Sequence, residues 1–395
     1  MNMKTSYILA GAVAASAATA FGAGFALNEV SARGNALQGT LVGSTRDISA
    51  VYFNPANMTE LKEIGLYTMA GVTLLRPDFY TTAAGQKVDQ HEKVFVDPHI
   101  YVGGRLSDSV WLGFGEYTEY GLGTRYEGRK SWPLAADSSQ TEITSFTLSP
   151  TIAWQTTENL SLGAGLRVMY FDILMDRMVP QAGSLLHVTA DEIAYSYILS
   201  AAYQLTDTVR LGLVYRGATD LKPEGDAELV NIGYKCDVDG ELDMPQSVMA
   251  GINWQATEKL NLGFNTTWTG WSSNKSIDMN FHSPMLGSVS APQEWHDTWR
   301  FSVGGEYALT DNWSFQLGLT HDYDPTDAAH SNTMCPPGDR DQIGIGFTYA
   351  KDDWAVSFDY MYVDIHETER VIHGVDTKVS EARTDTVGLT FSKMF

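Results

Sequence analysis

The sequence predicts an all-β protein: a 14-stranded antiparallel transmembrane β-barrel plugged by an N-terminal hatch. Three observations carry that expectation. Apolar residues alternate with small or polar ones along many stretches of about ten residues. Short polar reversals recur on one side of these stretches, and long polar connections recur on the other. The chain holds 36 Gly, 19 Tyr, 16 Phe and 10 Trp, yet beyond its first residues it has no apolar run long enough for a spanning helix.

The first residues read as an export signal. Lys4 supplies a short positive region and "YILAGAVAASAATAF" an apolar one. Ala20-Phe21-Gly22 then offers small residues where a signal peptidase reads them, so cleavage is expected before Ala23. Residues 1–22 are therefore the signal peptide, 23–62 the hatch and 63–395 the barrel.

Alternation defines the wall. In "NLSLGAGLRVMY", Leu160, Leu162, Ala164, Leu166, Val168 and Tyr170 share one face, and Ser161, Gly163, Gly165, Arg167 and Met169 the other. In "KLNLGFNTTW", Leu260, Leu262, Phe264 and Trp268 oppose Asn261, Gly263, Asn265 and Thr267. A small and polar second face suits a lumen, with the apolar face turned to lipid.

Six tight reversals separate strand pairs: "RLSDSV" at 105, "QTTENL" at 155, "QLTDTV" at 204, "QATEKL" at 255, "ALTDNW" at 308 and "AKDDW" at 350. The opposite connections, such as "YEGRKSWPLAADSSQ", are long. With both termini on the short-turn side, six hairpins and two end strands give an even fourteen. Strands are expected to begin near residues 64, 93, 109, 143, 159, 190, 208, 243, 259, 297, 312, 340, 353 and 380. The last runs through outward Val387, Leu389 and Phe391 to Phe395, a terminal aromatic strand that resembles the signal read by the barrel-assembly machinery.

A lumen of fourteen strands is too wide for side chains alone to fill. Residues 23–62 are the filler: Pro55 breaks any helix before it, Asn54 bonds backbone locally, and Asn57 caps the following piece. Here the residues resemble a known family. "AGFALNE", "GNALQG" and "NPANMTEL" are similar to the hatch of the outer-membrane long-chain fatty-acid transporters, the FadL family. "EYGLGTRYEG" resembles that family's third-strand segment, with Glu119-Tyr120 where Pro-Phe is usual. Asp297 to Arg300, "DTWR", opens a late strand as the family's does.

The resemblance implies passive uptake of hydrophobic molecules without a cofactor. Substrate is captured outside, a hatch shifts, and release is lateral, beside a kinked third strand. Hatch and gating residues are then Asp47, Asn54, Pro55 and Ala56, and Gly113, Gly115, Gly121 and Gly123 mark the kink. The loop after the fifth strand, with Met175, Met178, Leu185 and Leu186, and a second loop near 220 to 244 form the capture surface. Inward Arg167 or Arg216 grips a substrate carboxylate, or else they pair with Glu306, Asp359 or Asp47 to fasten the hatch. Asp172 stands where fatty-acid channels carry a carboxylate-binding Arg, which favours a neutral aromatic hydrocarbon instead.

The formal charge of -22 argues against a nucleic-acid partner. The partners expected are fatty acids or other small hydrophobic molecules, outer-membrane lipid and lipopolysaccharide, around a monomer in the bacterial outer membrane. The sequence has no Gly-x-Ser-x-Gly elbow and no His-Glu-x-x-His, so a hydrolase is disfavoured. A general porin would lack the hatch. Cys236 and Cys335 lie in outer loops and are expected to bridge. The acidic runs "CDVDGELD" and "DYDPTD" lack EF-hand spacing and read as solvated charge, so no metal is expected.

Overall fold

The computed structural model describes residues 26–90, 93–126, 128, 131–334 and 337–395. The signal-peptide expectation and one half of the Cys236–Cys335 pair lie outside the described residues. Fourteen wall strands form one closed antiparallel barrel. They are β1 (Leu66–Ala83), β2 (Phe95–Arg105), β3 (Val110–Tyr117, resumed as Gly121–Arg125), β4 (Gln140–Gln155), β5 (Leu160–Val179), β6 (Ser184–Thr206) and β7 (Val209–Arg216). The circuit continues through β8 (Ser247–Gln255), β9 (Leu260–Thr269), β10 (Thr298–Ala308), β11 (Trp313–Asp322), β12 (Arg340–Lys351), β13 (Trp354–Ile365) and β14 (Val375–Met394). β14 closes on β1 from Tyr67↔Met394 to Ala83↔Thr377.

All six tight turns fall where the sequence places them, and four share one device. Thr157, Thr206, Thr257 and Thr310 each accept hydrogen bonds at Oγ1 from two backbone amides just ahead, at 3.0–3.3 Å. The threonine hydroxyl, more than the acidic residue beside it, organises these reversals. Trp154, Trp254, Trp313, Tyr203 and Tyr307 stand exposed on the outer face next to the turns, forming the aromatic girdle of the membrane boundary. Between the boundaries, Leu112, Leu148, Leu166, Leu213, Phe264, Val303, Leu319, Phe358 and Leu389 are exposed outward. Their neighbours along each strand are buried and small or polar.

Two stretches expected as loops are strands. β5 and β6 pair without interruption from Leu160↔Tyr203 to Val179↔Ser184. Residues 172–179 and 184–191 therefore extend the wall above the membrane instead of forming a capture loop. Likewise Glu224–Leu229 pairs with both β6 and Tyr234–Met244. Outside the membrane the alternation of apolar and small residues lapses, but the backbone ladder does not need it. That is why β6 and β14 start earlier than their hydrophobic pattern.

Residues 26–61 pack inside this wall. α1 (Ala32–Ala36) is capped by Ser31, whose Oγ accepts from the Gly34 amide. α2 (Ala50–Phe53) ends at extended Asn54, and a 3-10 turn follows over Pro55–Glu60 with Pro at its first position. α1 lies against β11 to β14 and the 3-10 turn against β3 to β6, so the segment spans the bore. The cap of the 3-10 turn is Asn54, whose Oδ1 accepts from Ala56 N at 3.1 Å. Asn57 instead donates to the carbonyls of Leu41 and Val42.

Candidate functional site

The inner segment is fixed to the wall by charge and by close backbone approach. Arg33 forks onto Glu306 of β10, at 3.0 Å from Nε and 2.7 Å from Nη2. Its Nη1 donates to Thr45 O and to Asp47 at 3.0 Å. A part-buried bidentate pair of this kind is strong and directional. Asn35 Nδ2 donates to Thr73 and to Asp359 of β13, and Ala56 N donates to Ser200 Oγ at 3.0 Å. Asn54 Nδ2 reaches Val42 O at 2.8 Å and Ala201 O at 3.2 Å. Of the expected hatch residues, Asp47, Asn54, Pro55 and Ala56 thus all lie on this floor. Arg33, which the sequence reading missed, is its main charged tie.

The third strand breaks where its glycines cluster. β3 pairs with β2 only from Arg105↔Trp111 to Ile100↔Glu116, leaving Phe95–His99 without a ladder partner on that side. Against β4, the pairing jumps from Tyr117↔Thr147 to Gly121↔Thr144, so the β3 side holds one extra residue. The excess turns Thr118, Glu119 and Tyr120 into the barrel, where all three are buried. Gly113 and Gly115 face inward beneath this break. A Cβ on Gly113 would meet Val51 and Met58 at 2.6 Å, and one on Gly115 would meet Tyr101 and Val51 at 2.9 Å. Gly121 and Gly123 open the resumed strand. Inside, Leu27 N donates to Glu119 O at 2.8 Å, and Ala26 forms an isolated bridge with Tyr120.

Two chambers lie above the floor. One is lined largely by apolar groups, among them Leu27, Leu75, Phe79, Met334, Val363 and Ile365, together with Glu29, Arg340 and Arg383. The other holds Arg167, Arg216 and Arg300 with Glu119 and Asp322. Ala26, Leu27, Asn28 and Asp322 border both. Arg167 is already engaged: its Nη2 and Nε lie 2.7 and 3.1 Å from Glu119 Oε2, and its Nη1 donates to Gly217 O. Arg216 is freer. Its Nη2 donates to Tyr52 O at 2.8 Å, its guanidinium lies 4.1 Å from the centre of the Tyr52 ring, and Glu119 stands 4.0 Å from its Nε.

The remaining expected residues sit higher. Met175, Leu185 and Leu186 are 4%, 7% and 1% exposed. Met175 and Leu186 pack in an extracellular apolar cluster with Phe171, Leu221, Met244, Phe281 and Trp295. Met178 leans on a second cluster around Phe79 and Trp132. Asp172 shares the outer face of β5 with exposed Tyr170, so it does not bear on a ligand in the lumen. Cys236 pairs with Ala227 in the extracellular hairpin and is half-buried. Among the described residues no group of three or more His, Cys, Asp or Glu could hold a metal ion.

The closed fourteen-stranded wall agrees with what comparison finds. A long-chain fatty acid transport protein of Escherichia coli O6:H1 is 23% identical over 92% of this chain and 92% of its own length. The crystal structure of a Pseudomonas aeruginosa FadL homologue superposes with a TM-score of 0.83 at 19% identity, covering 94% of this chain and 99% of the other. The Pseudomonas putida toluene transporter TodX superposes at 0.75 with 18% identity, over 92% and 98%. The profile of the family described as "Outer membrane protein transport protein (OMPP1/FadL/TodX)" matches residues 12–393. This chain therefore belongs to the OMPP1/FadL/TodX family of outer-membrane channels for hydrophobic substrates.

Proposed function

We propose that the chain carries long-chain fatty acids inward by passive diffusion, with residues 23–62 acting as the hatch and release occurring beside the broken third strand. The adjoining chambers are the observation that carries this reading. A mainly apolar chamber, itself edged by Glu29, Arg340 and Arg383, beside one holding three guanidinium groups and two carboxylates suits a molecule with a long apolar tail and one negative head. Burying the tail gains about 0.8 kcal/mol per CH₂, and the surplus positive charge attracts the carboxylate. Arg216, less committed than Arg167, grips the head. Capture begins at the extracellular apolar cluster that includes Met175 and Leu186. Lateral release spares the tail a return to water. The protein acts as a monomer, assembled through its Phe395 end, and does no covalent chemistry.

The test is uptake of labelled oleate and of labelled toluene by a bacterium lacking its own fatty-acid channel. The barrel's presence in the outer membrane is checked alongside by its heat-modifiable migration. Oleate uptake above the empty-vector rate is expected. Toluene uptake without oleate uptake would transfer the assignment to a neutral aromatic hydrocarbon, the cargo named for the structurally similar toluene transporter.

A further inference from the structure

We propose that Glu119 latches the hatch and the third-strand break together, and that a substrate carboxylate opens the latch by taking Glu119's place on Arg216 and Arg167. The proposal rests on the fatty-acid reading above and adds what triggers movement.

Four parts of the molecule meet at this one side chain. Glu119 stands in the break itself, and its Oε2 accepts from Arg167 of β5 and from Thr147 Oγ1 of β4, the latter at 3.0 Å. Arg216 of β7 approaches its other oxygen at 4.0 Å. The same arginine holds Tyr52 of the hatch by hydrogen bond and ring contact. The Glu119 carbonyl accepts from Leu27 at the other end of the hatch, and Tyr52 Oη donates back to Leu27 O at 3.4 Å. Glu119 is 6% exposed and Arg167 2%. Arg216 is 8% exposed and lines the arginine-bearing chamber, and its Nε is buried without a hydrogen bond.

Charge decides which ligand can work this device. Pulling a buried carboxylate away from its guanidinium groups leaves both sides unpaired, which is strongly unfavourable. A second carboxylate entering the chamber removes the larger part of that obstacle, because Arg216 and Arg167 stay paired throughout and only the displaced Glu119 must be resolvated. Thr118–Tyr120 have no ladder partner on β2, so once the side-chain bonds of Glu119 are exchanged only the Leu27 amide, the Ala26 bridge and the Ser145 hydroxyl hold the segment. Once the Glu119 segment moves, Leu27 loses the main-chain carbonyl it donates to, and Tyr52, still held by Arg216, loses the Leu27 carbonyl that its hydroxyl meets. A neutral molecule of the same shape offers no exchange, so it has no differential affinity for the open state and cannot populate it.

Hydrogen–deuterium exchange on the purified full-length protein reads the latch directly at residues 26–30 and 117–121. In the wild type, oleate should raise exchange of both stretches about tenfold and oleyl alcohol should not, a factor typical of linked sites. Glu119→Gln keeps the shape and removes the charge. It should exchange rapidly without ligand, and its uptake preference for oleate over oleyl alcohol should fall about tenfold. Equal effects of acid and alcohol on the wild type would overturn the proposal even if the variant failed to fold. Oleate uptake with unchanged exchange would remove the latch and leave the transport reading standing. A wild type that takes up neither oleate nor oleyl alcohol removes both.

Discussion

Asn54 shows how much one side chain can carry. Its amide donates to Val42 O within the hatch and to Ala201 O on β6, while its oxygen caps the 3-10 turn at Ala56. It is fully buried, so Asn54→Ala removes all three bonds, while Val42 O keeps Asn57 Nδ2 and the Ala56 amide keeps Ser200 Oγ. We expect the hatch to be weakened by about 2 kcal/mol. Faster proteolysis within residues 40–60, with heat-modifiable migration of the barrel unchanged, would verify it. A second single-residue prediction lies outside the membrane. His373, in the turn before β14, lies 2.9 Å from buried Asp137. That hydrogen bond raises its pKa above the ordinary histidine value, against the opposing effect of partial burial. The contribution to stability is therefore complete below the unfolded-state pKa and lost as pH rises through the folded one. His373→Gln should cost about 1 kcal/mol at pH 5 and close to nothing at pH 9, read from the midpoint of extracellular-loop proteolysis.

At the scale of elements, the inward glycines of β7 to β10 record where the hatch backbone runs. A Cβ on Gly212 would stand 1.9 Å from Val42 O, and one on Gly263 would stand 2.6 Å from Thr40 O. Gly212→Val forces residues 40–43 off the wall, an overpacking cost of about 1–3 kcal/mol. It should speed amide exchange across 40–43 while β7 keeps its protection, and unchanged exchange there would show that the close approach is not needed. The wall strands were legible because period-two alternation and tight turns are local signals: Leu162, Leu166 and Tyr170 announce their face within one stretch. The site was only half legible. Arg167 and Arg216 declare themselves as charges on an inward face, but their partner is fixed by folding. Glu119 lies 48 positions from Arg167, and Arg33 lies 273 from Glu306. Glu119 was visible only as an unusual residue beside a glycine cluster, and Arg33 as a lone cation among small residues in "SARGNALQG". The extracellular parts of β5 and β6 misled for the opposite reason, since mixed Met, Leu and polar residues resemble a loop while the backbone simply continues to pair.

For the whole molecule, wall and hatch draw their stability from different sources. The wall closes through the β1–β14 ladder, has no open edge at the seam, and turns its apolar band to lipid; none of these features involves residues 26–61. Residues 26–61 have little secondary structure of their own, and their order comes from contacts with the lumen. Such an arrangement predicts asymmetric dependence. Deleting residues 23–62 should leave a barrel that still inserts and migrates as heat-modifiable, because every wall strand keeps both neighbours. What remains is a bore lined by glycine, serine, threonine and charged side chains, wide enough to conduct water and ions. In planar bilayers the intact protein should stay near baseline and the deletion should give large, stable conductance steps. Uptake of oleate should lose its dependence on Glu119 in the same variant, since the latch then has nothing to hold. A deletion that failed to insert would place the hatch within the folding unit of the wall, against the independence that the closed ladder implies.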